Sequence, residues 1–134
     1  MSRRTHVIFA LGTIAVGLLV HGRGESLGPV ARDVIGDALW AAMIFWWVSA
    51  SAPRSPRLAR ATIALLICAT VEVSQLSHAP MLVALRATRL GTLILGNGFD
   101  PRDLASYALG VVAATIIETR FVRPVRRTPA AHPQ

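Results

Sequence analysis

The chain has 134 residues, 53% hydrophobic and 16% charged, where ordinary soluble domains carry roughly a quarter charged residues. That balance suits a single domain in lipid better than a soluble enzyme. The net charge is +7 and all fourteen basic side chains are arginine; they punctuate apolar runs instead of forming a patch, which argues for membrane-flanking charge and against a nucleic-acid partner.

The first apolar run, about Val7 to Val20, follows Ser2-Arg3-Arg4 and is closed by His21-Gly22-Arg23-Gly24. A basic start and a short apolar core also describe a signal peptide. No small-x-small cleavage site follows, however, and further apolar runs do, so the run reads as an uncleaved transmembrane helix. Gly22, Gly24, Gly28 and Pro29 mark a loop. The second run, about Ile35 to Ala50, carries Trp40, Trp46 and Trp47, residues at home near membrane interfaces. Asp33, Asp37 and Trp40 share one helical stripe at its start. Asp33 suits a helix N-terminus; Asp37 lies a full turn deeper.

Ser51 to Arg57 is a short basic turn, with Ser55 expected as N-cap and Pro56 as first helical residue. The third run, about Leu58 to Ser77, is the longest and is expected to stop at Pro80. Glu72, Gln75 and His78 close it at spacings of three, which on a helix would align them on one stripe. A carboxylate at the end of an apolar segment is costly and usually faces a bundle interior or a wet cavity. Cys68, the single cysteine, sits mid-run, where a buried apolar role is expected and no internal disulfide can form.

Met81 to Leu95 is apolar but carries Arg86 and Arg89 at its centre, so it reads as an interfacial or re-entrant segment. Gly96-Asn97-Gly98 is a turn. Asp100-Pro101-Arg102-Asp103 is a helix start, with Asp100 as N-cap and Asp103 in the first turn. A fourth run follows from about Leu104 to Ile117, and the tail 123–134 reads as a disordered cytoplasmic segment.

The fold expectation is therefore all-α: a polytopic membrane protein, residues 1–122, of four transmembrane helices. Three of the runs have cores of only about 14 to 16 apolar residues, below the roughly 17 to 25 of a span, and Thr5, His6 and Ser49 lengthen them. A soluble bundle competes with this reading, but no run has the full polar face that its surface helices would need. Arginines number two, three and four in the N-terminus, the Pro53 loop and the C-terminal end from Arg120 onward, against two and three in the Gly22 loop and the segment 81–102. Both termini are then expected in the cytoplasm of a multi-pass protein of the cell membrane. His21, Arg23, Asp37, Glu72, Gln75, His78, Asp103 and Tyr107 converge on the outer face.

Several stretches then match a known pattern: Gly36-Asp37-Ala38-Leu39-Trp40-Ala41, Val71-Glu72-Val73-Ser74-Gln75-Leu76, Leu85-Arg86-Ala87-Thr88-Arg89-Leu90-Gly91, Leu95-Gly96-Asn97-Gly98-Phe99 and Asp103-Leu104-Ala105-Ser106-Tyr107-Ala108-Leu109-Gly110. Together they resemble domain of unknown function 2809, a family of small bacterial membrane proteins, over about Val7 to Glu118. More distantly, the order Glu-x-x-Gln, arginine, aspartate, glycine is similar to the VanZ-like family, linked to glycopeptide (teicoplanin) resistance. That pattern has an asparagine about four residues after the aspartate, where this chain has Tyr107. Neither resemblance implies an established reaction.

The candidate site comprises Glu72 as a general base and Gln75, Arg86, Arg89, Asp37, Asp103 and Tyr107 as ligand contacts. Arg86 and Arg89 have the forked donors that suit phosphate or carboxylate; alternatively they pair with Glu72, Asp37 or Asp103. Asp103 also reads as a capping carboxylate and His78 as a solvated helix-end histidine, with His21 and Glu118 weaker still. No metal-ligand spacing, nucleotide loop or nucleophile elbow occurs, so no metal or cofactor is expected. Three functions fit: binding of an anionic, lipid-linked envelope precursor at the outer face; phosphoryl or acyl transfer with Glu72 as base; or a structural accessory subunit.

Overall fold

The computed structural model describes residues 1–96 and 98–121. The expected tail 123–134 and Asn97 of the expected turn lie outside the described residues. Among those residues all regular structure is helical, in the order α1 (Arg3–Arg23), a 3-10 turn (Gly24–Leu27), α2 (Pro29–Ser51), α3 (Arg57–Ser74), α4 (Pro80–Arg86), α5 (Arg89–Leu95) and α6 (Pro101–Phe121).

Helices α1, α2 and α6 outrun the apolar cores that announced them, because local chemistry starts them early. The Ser2 hydroxyl accepts the Thr5 amide N–H at 3.2 Å, so α1 begins at Arg3. Proline, which lacks an N–H to leave unpaired, opens both α2 and α6. Gly28, with φ +77°, turns the chain sharply from the 3-10 turn into α2. At about 1.5 Å per residue, the 21, 23 and 21 residues of α1, α2 and α6 match the roughly 30 Å apolar thickness of a bilayer. These three helices are long and apolar enough to cross a membrane.

α3 departs from expectation. It is the shortest of the four long helices, 18 residues, and ends at Ser74. Beyond it the amides of Gln75, Leu76 and Ser77 bond three residues back, to Glu72, Val73 and Ser74, tightening the chain out of the α-helix. Ser55 does not cap α3; Pro56 holds that position without a side-chain bond. The segment expected to be interfacial or re-entrant forms two short helices, with the Thr88 hydroxyl accepting the Gly91 N–H at the start of α5.

α2 is the hub, packed against α1, α3 and α6, while α3 also packs on α6. Small residues line the closest approaches: Ala10, Ala41, Ala64 and Ala114 are buried, and a Cβ on Gly110 would collide with the Ala38 carbonyl of α2. Such residues let helix backbones come close where van der Waals packing drives association. Trp46 anchors the larger end of the core, stacked on Phe9 at 4.8 Å and edge-on to Phe45 at 5.2 Å. Outward, the helices present Ile8, Leu19, Leu66, Leu109 and Ile116 to their surroundings. An apolar exterior around a charged interior suits lipid.

Candidate functional site

On α3 the buried residues are Arg60, Ala64, Cys68 and Glu72, four apart, so one stripe faces the bundle with a charge at each end. On α6 Tyr107, Gly110, Val111, Ala114 and Glu118 form the facing stripe. The two stripes meet in two polar centres at opposite ends of the bundle.

At one end Glu72 has no solvent-exposed surface. Its Oε2 accepts the Tyr107 hydroxyl at 2.9 Å and its Oε1 accepts the Asp100 backbone N–H at 2.8 Å. The Asp100 carboxylate in turn accepts the Arg102 N–H at 2.9 Å, the bond of a helix-capping aspartate. In a capping box the cap's own N–H is taken by a side chain three residues on. Here Glu72 of α3 takes it, which ties the end of α3 to the start of α6. Asp37 and Asp103, both half-buried, bring their carboxyls close to each other and to Glu72. Among the described residues no arginine forms an ion pair with any of the three. No three of the described His, Cys, Asp or Glu side chains gather tightly enough to hold a metal ion.

Gln75 and Arg86, also at this end, serve the backbone. Gln75 Nε2 donates to the Leu95 carbonyl at 2.8 Å. Arg86 donates to the carbonyls of Ser77 at 3.0 Å and Ser74 at 2.6 Å, not to Glu72, Asp37 or Asp103. Its fork satisfies oxygens freed where α3 stops. Arg89 is exposed and forms no ion pair among the described residues. His78 lies past the end of α3 and is exposed, so it leaves the stripe of Glu72; His21 and Arg23 are exposed at the end of α1.

The second centre was the one sequence reading ranked lowest. Glu118, only 2% exposed, accepts four bonds: His6 Nε2 (2.8 Å) and Arg60 Nη1 (2.9 Å) on Oε1, Arg60 Nη2 (3.1 Å) and Arg57 Nε (3.0 Å) on Oε2. Arg60 also lies over the Phe45 ring, 5.8 Å from its centroid. One readable signal was available: Glu118 continues the spacing of Tyr107, Val111 and Ala114, so a helix face that buries those three buries the glutamate as well.

Residues 27–111 match the model of a family described as a protein of unknown function, DUF2809. The chain belongs to this family. No solved structure matches it. The DUF2809 match runs from the start of α2 to the middle of α6. It thus contains Glu72, Tyr107, Asp37, Asp103 and the α4–α5 segment, while His6 and Glu118 fall outside it. In this DUF2809 chain the residues behind the resemblance have concrete structural work. Glu72 and Tyr107 bond to each other, Thr88 caps α5, and Gly91 and Gly110 leave room for the carbonyls of Leu85 and Ala38.

Proposed function

We propose that this DUF2809 chain is a four-span integral membrane protein with a polar site at its Glu72 end, where Asp37 and Asp103 meet the head group of a membrane-embedded ligand. The observation that carries this reading is the division of labour among the three carboxyls. Glu72 is buried with both oxygens bonded to α6, so it holds the helices. Asp37 and Asp103 remain half-exposed beside it, unpaired by any described arginine. Carboxyls kept near the end of apolar helices without a partner favour a cationic group arriving from outside the chain.

The fourth span is α3. Its charged residues Arg60 and Glu72 turn inward, while Leu58, Ile63, Leu66, Ile67 and Val73 turn outward. Its 18 residues make about 27 Å of helix. The short α4 and α5 expose Met81, Leu85, Leu90 and Leu93 beside Arg89, as an interfacial segment would. Arg89 then lies at head-group level, able to meet a phosphate, so a zwitterionic head group, amine toward Asp37 and Asp103 and phosphate toward Arg89, fits better than a purely anionic one. A general-base role for Glu72 is disfavoured because no surface of that carboxylate is open to substrate. The arginine distribution supports cytoplasmic termini, with this site on the outer face.

The test is identification, by mass spectrometry, of lipid retained by the chain purified in mild detergent. The expected result is a zwitterionic lipid that Asp37→Asn/Asp103→Asn loses while remaining folded. Unselective lipid in both proteins would end the proposal.

A further inference from the structure

The opposite end carries a charge imbalance. Among the described residues Arg3, Arg4, Arg54, Arg57, Arg60 and Arg120 lie there against a single carboxylate, Glu118. That carboxylate already accepts four N–H donors, about the capacity of its two oxygens. Arg57 gives it only Nε, at 3.0 Å. Its two terminal nitrogens have no acceptor among the described residues, and its side chain is 38% exposed. Arg60 Nε, on a residue more than nine-tenths buried, likewise lacks a described partner, so donors here outnumber acceptors. Arg54, in the turn leading into α3, is exposed and makes no described ion pair.

The bond from Nε to a buried, fixed carboxylate removes much of the freedom of the Arg57 side chain. What is left free is its terminal pair of nitrogens, the fork that matches two oxygens of a phosphate. The neighbouring Leu58 is 79% exposed on α3, apolar surface suited to an acyl chain. A ligand with a phosphate and a hydrocarbon chain meets both features; a free phosphate meets only the first.

We infer that Arg57, oriented by Glu118, and Arg54 bind the phosphate of an anionic phospholipid at the Glu118 end of the bundle. The inference rests on the chain lying in a bilayer, and it is independent of any ligand at the Asp37–Asp103 site.

Native mass spectrometry of the full chain in detergent, titrated with phosphatidylglycerol or phosphatidylcholine, tests it. The titration is made in the Asp37→Asn/Asp103→Asn background, which removes the zwitterionic-lipid site, and there phosphatidylglycerol should be retained in preference. Arg57→Gln and Arg54→Gln should each weaken its binding about fivefold, the worth of one arginine near an anionic surface, and Arg57→Lys should fall between Arg57→Gln and the parent. Should Arg57→Gln fail to fold, Arg54→Gln decides, since Arg54 has no described ion pair to lose. Equal retention of the two lipids, or parental binding by Arg54→Gln, overturns the site. Displacement of phosphatidylglycerol by millimolar inorganic phosphate overturns the lipid assignment. These variants change only arginines at the Glu118 end, so their failure leaves the Asp37–Asp103 experiment untouched.

Discussion

Tyr107 donates its hydroxyl hydrogen to Glu72 Oε2 across 2.9 Å, joining α6 to α3 at a carboxylate that no water reaches. A bond to a charged acceptor is worth about 1.5–3 kcal/mol, whereas interhelical bonds within membranes average about 0.6 kcal/mol. Tyr107→Phe should therefore cost about 1–2 kcal/mol in unfolding by a denaturing detergent. Combined with Glu72→Gln, it should show a clear coupling energy; strict additivity would mean that the two side chains do not interact.

Glu118 makes a harsher prediction. Glu118→Ala leaves Arg60, 5% exposed, without its bidentate partner. Removing one member of a buried pair typically costs about 3–5 kcal/mol because the other charge is stranded. The double replacement Glu118→Leu/Arg60→Met should recover most of that loss, since a well-packed apolar pair avoids the stranded charge. Unfolding curves in which the double variant is no more stable than Glu118→Ala would contradict this account of the centre.

Two glycines separate packing from propensity. At Gly110 an added methyl meets the Ala38 carbonyl, a backbone atom that cannot rotate aside, so Gly110→Ala should destabilise by about 1–3 kcal/mol. At Gly12, exposed on α1, nothing lies within 4 Å of an added Cβ. There Gly12→Ala should be neutral or stabilise by up to about 1 kcal/mol through helix propensity. The same unfolding assay reads both signs.

The four long helices were legible because apolar runs separated by Gly, Pro and Arg survive any detail of packing. Their ends were not, because they depend on single bonds such as that from the Thr5 amide to Ser2. The Glu72 end was legible for a topological reason. Once α1, α2, α3 and α6 alternate in direction, Asp37, Glu72, Asp103 and Tyr107 fall at one end whatever the packing. The Glu118 centre was hidden, since its partners sit 58 and 112 residues away and no local pattern names them. Gln75 and Arg86 have backbone partners that no sequence pattern names. Their residue types suit a ligand, and only the tightened turn after Ser74 reveals carbonyls that need them.

That distinction between Arg86 and Arg89 is open to experiment. Arg86 bridges the Ser74 and Ser77 carbonyls, and the Thr92 hydroxyl donates to its own carbonyl, so it fastens α4 and α5 to the end of α3. Bonds from a charged donor are worth about 1.5–3 kcal/mol each, less where water can compete, so Arg86→Ala should ease local opening by about 1–3 kcal/mol. In hydrogen exchange, amides of α4 and α5 should then exchange about tenfold faster or more, while α2 and α6 keep their rates. Arg89→Ala, which removes no described bond, should leave exchange unchanged and alter only ligand retention. If Arg89→Ala loosens the segment as much as Arg86→Ala does, Arg89 is a structural residue and the phosphate role assigned to it fails.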